Sequence, residues 1–346
     1  MNMRSMAAAM AMAAGTAVMG QTYLMVPDSL RDVVMLFDPA DGTLLNPAWI
    51  NLAGLAPSQT PIAAIEVDDE IWVSDQIADR IYRFTKDEFA PQHLGDIVGG
   101  MDNIRGIVRV GDTVYVTNAG TANGAPGNGV VMIDVATRAV IGSFPSGSPF
   151  DILPFGANLL VNDIGGARKI DEFTTAGSLV RVFATGPNFP EQMNYNAAGN
   201  ILVATFSSPI GIYEFDTNGS QVNFYSVGTG NRGIYELEDG NILLTYGTTP
   251  GIYTYNIASN TSTPVAGAPN GSPRFIHPVT FGAECYADCD TGTGVGVLDI
   301  FDFLCFGNRF SANDPYACDC DTQSGVGICD IFDFLCFGNA FNAGCP

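Results

Sequence analysis

Six stretches decide the fold: YLMVPD (23–28), IWVSD (71–75), VYVTN (114–118), LLVND (159–163), ILVATF (201–206) and ILLTYG (242–247). Each is a short apolar run with a polar or turn-forming residue in its last two positions. Aligned on Val26, Val73, Val116, Val161, Val203 and Leu244, the copies lie 47, 43, 45, 42 and 41 residues apart. A period of that length marks stacked structural units. Most are followed by a second strand-like stretch, such as VVMLFD (33–38), RIYRFT (80–85), VVMIDV (130–135), GIYEFD (211–216) and GIYTYN (251–256). Period-2 alternation bounded by Asp-x-x-Gly and Asn-Gly turns predicts antiparallel strands, and no amphipathic helical window competes with it.

A shorter segment precedes five of the six copies: IAAIEV (62–67), IRGIVRV (104–110), PFDILPF (149–155), EQMNYN (191–196) and RGIYEL (232–237). None precedes Tyr23. The missing sixth copy stands after the last repeat, at RFIHPV (274–279), so the end of the repeat region is expected to supply the innermost strand of the first unit. Four strands per unit, radially repeated and sealed by the two ends, describe an all-β, six-bladed β-propeller. An open sandwich or a further blade is the competing architecture. In these repeats the chain resembles the NHL-repeat propellers and the related regucalcin/gluconolactonase-like and strictosidine synthase-like groups. The resemblance is architectural, covers residues 21 to about 281, and leaves activity open, because one propeller scaffold hosts many functions.

Composition narrows the classes. At ~150 residues per domain, 346 residues suggest two domains. Hydrophobic residues are 47% and charged residues only 14%, which excludes disorder through low hydrophobicity. A net charge of −22 repels phosphate backbones and anionic bilayers, so no nucleic-acid partner is expected. Residues 1–20 carry one basic residue, Arg4, before an apolar run from Met6 to Met19, which reads as a secretory signal cleaved after Gly20 or after Ala17. A membrane anchor is the alternative, but the run is shorter than the ~18 residues that favour spanning. The mature chain is therefore expected to be secreted or cell-surface associated, without a membrane span.

All eight cysteines lie between Cys285 and Cys345, which places a domain boundary near residue 283: signal 1–20, propeller 21–282, tail module 283–346. Residues 288–310, DCDTGTGVGVLDIFDFLCFGNRF, recur at 319–341 as DCDTQSGVGICDIFDFLCFGNAF, with 18 of 23 positions identical. In each copy a glycine-rich loop gathers aspartates, Asp288, Asp290, Asp299 and Asp302 in the first, Asp319, Asp321, Asp330 and Asp333 in the second, and runs into IFDFLCF. Hard oxygen ligands on such a loop suit calcium; solvated acidic turns held by disulfides are the alternative. An even cysteine count in an exported chain predicts disulfides among Cys285, Cys289, Cys305, Cys318, Cys320, Cys329, Cys336 and Cys345, with zinc–thiolate binding the weaker option.

The duplicated loop-and-helix pattern resembles the dockerin modules, in particular bacterial GC-type dockerin-like domains. That resemblance implies a small disulfide-rich α module, calcium as its cofactor, and a cohesin-like or cell-surface protein receptor. Each loop runs 15 residues from Asp288 to Asp302, so Asp288 and Asp290 sit three residues early and the middle ligand is unassigned. The positions that help choose the receptor in dockerins correspond here to Ile300 and Phe301, and to Ile331 and Phe332. These four either face a partner or form the module's own core.

Candidate chemistry in the propeller is sparse. His93 and His277 do not share a repeat position, and Glu66, Asp151, Glu191, Asn194 and Glu236 fall at nonequivalent offsets for a channel metal. Anchoring inner strands on Ile107, Ile234 and Ile276, the residue two before is Arg105, Arg232 or Arg274. These arginines either take an anionic or carbohydrate ligand at the channel or pair with Asp102, Asp151 or Glu191. Two functions follow: a secreted noncatalytic propeller held to a partner by its tail, or an extracellular hydrolase or lactonase localised by the same tail.

Overall fold

The computed structural model describes residues 21–228, 230–247, 251–281, 287–290, 298–318, 320 and 328–343. Residues 22–280 form one compact unit, and the chain from 281 onward belongs to another.

The first unit is a ring of six four-stranded sheets, in which neighbouring strands run antiparallel. Blades 2–6 are each built from consecutive strands, with inner strands Pro61–Val67, Ile104–Val110, Pro149–Phe155, Pro190–Tyr195 and Asn231–Glu236. Blade 1 combines Gln21–Asp28, Val33–Phe37 and Leu44–Asn51 with His277–Phe281 as its innermost strand. The closing strand anticipated from RFIHPV is therefore present. Its entry is tied down by an antiparallel bridge between Asp28 and Pro273 and by Arg274 N–H donating to Pro27 O at 2.8 Å.

The second and third strands of the blades depart from simple alternation. Val33–Phe37, Ile201–Thr205, Gly211–Phe215 and Ile242–Tyr246 are buried at every residue. The reason is the radial stacking: each sheet is pressed between two neighbours, so both of its faces are interior. Outer strands are largely in water, as in Leu179–Thr185, where only Phe183 and Ala184 are buried and Leu179 and Val180 are exposed. Burial thus grades from the inner strands to the rim more than it alternates along a strand.

The aspartate that ends the second strand of blades 1, 2 and 4 is a fastener. Asp75 Oδ1 accepts from Thr60, Ile77 and Ala78 N–H, Asp28 Oδ1 from Leu30, Arg31 and Ser272 N–H, and Asp163 Oδ1 from Ser148 and Gly165 N–H. Each clamps its own strand-connecting loop to the loop entering the inner strand, and these buried acceptors satisfy otherwise orphaned amides.

The described residues of the tail unit include three helices: α1 (Ile300–Ser311), α2 (Pro315–Cys318) and α3 (Ile331–Ala343). Disulfides join Cys289 to Cys305, Cys318 to Cys329 and Cys320 to Cys336. Cys285 and Cys345 lie outside the described residues. The core is small: Phe306 and Phe337 stack with centroids 4.0 Å apart, flanked by Ala287 and Ala317, with Phe303 and Phe334 packed edge-on against them and Phe310 and Phe341 tilted alongside. No helix of the described residues is long and apolar enough to cross a membrane.

Candidate functional site: the channel ring and the capped tail helices

Every inner strand of blades 2–6 carries a register irregularity near its start, between Pro61 and Ala63, Ile104 and Ile107, Pro149 and Ile152, Pro190 and Met193, and Asn231 and Ile234. The chain between Pro273 and Ile276 occupies the same place in blade 1. Bulges of this kind re-aim side chains. The equivalent bulge residues around the ring, from blade 1 to blade 6, are Arg274, Ile62, Arg105, Phe150, Glu191 and Arg232.

The bulge carbonyls are held by the preceding blade. Ser74 Oγ donates to Arg105 O at 2.6 Å, Thr117 Oγ1 to Phe150 O at 3.0 Å, Asn162 Nδ2 to Glu191 O, and Thr245 Oγ1 to Arg274 O at 2.8 Å. Blade 5 has Ala204 at that position and no such donor; Gln192 instead ties blades 6 and 1 through their amides, its Oε1 accepting Ile234 N–H and Ile276 N–H at 2.8 and 2.9 Å. The serine, threonine and asparagine of VSD, VTN, VND and LTY are therefore the mounts of the ring, a role invisible until blades are laid side by side.

The three arginines and Glu191 come together. Arg232 Nη1 donates to Glu191 Oε1 and Oε2 at 3.2 and 3.4 Å, and the charges of Arg274 and Arg105 act on the same carboxylate. Glu191 is 1% exposed. Burial pushes its carboxyl up to about 7 against the pull of those arginines, and burial pushes the adjacent Asp151 up to about 8. Burial also lowers Arg105 and Arg274 to about 10. The guanidinium of Arg105 lies 4.7 Å over the Phe150 ring, and that of Arg232 4.7 Å over Phe206. Phe189 joins the two rings, 5.9 Å from Phe150 and 5.6 Å from Phe206. Asp102 and Asp151, the other partners considered for the arginines, serve backbone amides instead: Asp102 takes Ala122 N–H and Asp151 takes Met193 N–H.

Glu191 shares the arginines' ring position, but its strand is anchored by Met193 where theirs have isoleucine. Pairing Met193 with Val203, as Ile107 pairs with Val116 and Ile234 with Leu244, would have aligned it. Glu66, Asn194 and Glu236 do not join it. Glu66 binds Lys86 at 2.9 Å, Asn194 donates to Ile234 O, and Glu236 caps Ala197 N–H.

In the tail, Asp299 is the N-cap of α1 and Asp302 completes a capping box. Asp302 is fully buried, with Oδ1 accepting Asp290 N–H at 2.8 Å and Oδ2 accepting Asp299 N–H at 2.7 Å. Asp330 and Asp333 repeat the arrangement at α3. A run of carboxylates around one helix start is a donor set of the right hardness for calcium, with Asp302 and Asp333 already anchored by backbone amides. Among the described residues no group of three or more His, Cys, Asp or Glu side chains is placed to hold a metal; Asp319, Asp321 and the loops 291–297 and 321–327 lie outside them. The four candidate receptor-facing residues are on the surface: Ile300 and Ile331 are each 64% exposed, Phe301 50% and Phe332 53%.

No family model matches the chain, and no curated protein matches it. Among solved structures, a chain of a nidogen/laminin complex aligns with a TM-score of 0.58 at 14% identity, over 74% of this chain and 98% of that one. A protein of unknown function from Bacteroides caccae aligns at 0.55 and 14%, over 75% and 99%. A putative 6-phosphogluconolactonase from Bacteroides fragilis aligns at 0.53 and 13%, over 75% and 98%. At these identities the likeness establishes the six-bladed propeller fold, and the fold alone.

Proposed function

We propose that the chain is a secreted, noncatalytic interaction protein in which the propeller is the binding platform and the tail is a calcium-dependent docking module for a cohesin-like or cell-surface protein receptor. The observation that carries this reading is the duplicated apolar pair at the start of α1 and α3. A module this small cannot leave four large apolar side chains in water without consequence, and it has a separate core around Phe306 and Phe337. Two equivalent exposed pairs, each beside a capped acidic turn, suit a partner surface that calcium would organise. The three disulfides fit an oxidising compartment. The competing reading, a propeller hydrolase or lactonase with a channel metal, needs oxygens that converge, whereas Glu66, Asn194 and Glu236 have separate engagements.

The test is calorimetric titration of calcium into the oxidised full-length chain, followed by binding to immobilised cohesin domains in calcium and in chelator. Calcium uptake with chelator-sensitive capture is expected. A chain that takes up no calcium removes the docking reading.

A further inference from the structure

We propose that the channel ring binds a small organic monocarboxylate between the guanidinium groups of Arg105, Arg232 and Arg274. The inference rests on the propeller being a binding platform and is independent of the tail.

Three guanidinium groups gather in a chain of net charge −22, at equivalent bulges in three blades. The carboxylates that act on them are Glu191, which acts on Arg105 and Arg274 and is bonded to Arg232, and Asp28, which acts on Arg274. Asp151, beside Glu191, is pushed up to about 8 by burial and adds no full negative charge at neutral pH, so three positive groups against two negative ones leave one charge without a counterion, in a place where burial makes an unmatched charge costly.

Arg105 is 8% exposed, its Nη1 donates to Pro149 O at 2.9 Å, and its Nε has no partner. Arg232 Nε is likewise buried and unpartnered. The contrast with Glu70 is direct. There Arg83 contributes Nε and Nη2 at 2.7 and 2.6 Å and Arg138 contributes Nη2 at 2.7 Å, so one carboxylate takes three charged donors from two arginines and is held down to about 2, with only Arg138 Nε left over. At Glu191, contact comes from a single nitrogen of a single arginine. Glu191 acts as a tether for the ring and leaves donor capacity over.

The aromatic faces of Phe150 and Phe206 carry the Arg105 and Arg232 guanidinium planes, and the carbonyls of Arg105 and Arg274 are fixed by Ser74 and Thr245. Guanidinium groups held in this way lose little freedom on gripping an anion, and their fork matches a carboxylate. One unmatched positive charge selects a monoanion, and the sugar acids are extracellular members of that class.

The experiment is titration of the full-length oxidised protein with sodium galacturonate, acetate, galactose and inorganic phosphate at constant ionic strength, in calcium and in chelator. Galacturonate and acetate are expected to bind, galactose is not, and chelator should leave the affinity unchanged. Arg105→Gln and Arg232→Gln should each weaken binding about ten- to a hundredfold. Glu191→Gln should tighten it, because the competing carboxylate is gone, and this variant reports on the site even if an arginine variant misfolds. Absence of carboxylate binding up to about 20 mM, binding by phosphate alone, or an affinity unmoved by Glu191→Gln would each overturn the proposal. Loss of cohesin capture with carboxylate binding intact would instead count against the docking module only.

Discussion

The propeller and the tail both arise by repetition, yet they are held together by different means. The propeller's six units have diverged until little but the apolar run is shared, and the described disulfides all lie outside it. Each blade borrows the faces of its neighbours, so stability accumulates with every interface. The tail's two copies are nearly identical, and their joint core is little more than a phenylalanine cluster between two helices. Below ~70 residues a core rarely suffices alone, and cross-links supply the remainder by restricting the unfolded chain. Where neighbours can cover every face, sequence is free to drift; where they cannot, covalent bonds and repeated chemistry take over.

The largest expected break of that comparison is reductive. Reductant should unfold the tail, since losing a native disulfide from a small domain costs ~2–5 kcal/mol, and leave the propeller's strands intact. Limited proteolysis with mass spectrometry checks it: a protected fragment ending near residue 281 is expected, and loss of that fragment at the same rate as the tail contradicts it. Next in size is Phe306→Ala, which should destabilise the tail by ~3–5 kcal/mol, nearly all that such a module has. Urea unfolding followed in the tail and the propeller separately should show two transitions, with only the first displaced.

A pH experiment addresses the ring. Burial raises Glu191 to about 7 and Asp151 to about 8, so between the ordinary carboxylate range and those values the folded chain holds protons that the unfolded chain has released. Stability from these groups is therefore full at the acid end and falls as pH rises, by at most ~1.4 kcal/mol per pH unit for each proton. Glu70, held down to about 2, gives the opposite trend only below its ordinary range. The propeller's denaturation midpoint should drop from pH 5 to pH 8, and Asp151→Asn should flatten that slope; an unchanged slope refutes the assignment. Thr245→Val removes one mount of the ring and should cost ~1–2 kcal/mol, read as a midpoint shift in the same assay. The smallest effect belongs to the tail surface. Ile300→Ser with Phe301→Ser should alter folding by less than ~0.5 kcal/mol, and should weaken receptor capture only when Ile331 and Phe332 are changed as well. Unfolding of the first double variant would return those residues to the core.

What the sequence disclosed followed from how local each signal is. The blades were legible because Val26, Val73, Val116, Val161, Val203 and Leu244 recur within single strands, and the closing strand because one inner segment was missing where another was in surplus. The arginines were legible as a shared offset. Glu191 was not, because Met193 replaces the isoleucine that marks the frame, and the mounts were not, because Ser74, Thr117 and Thr245 act on the following blade. In the tail, IFDFLCF is apolar almost all round, so nothing in its pattern separates inward Phe306 from outward Ile300 and Phe301. That choice is made by the second copy, whose Phe337 stacks on Phe306.

The pairing of Gln21–Asp28 with His277–Phe281 has a consequence in time. The strand that emerges first during synthesis waits for the one that emerges about 250 residues later, and blade 1 stays open at its inner edge until then. Closure at such sequence separation is entropically slow, so the open inner edge of blade 1 persists while the other five blades are made. A chain circularly permuted to begin at Pro61 would complete each blade as it was made, and should close faster while gaining nothing at equilibrium.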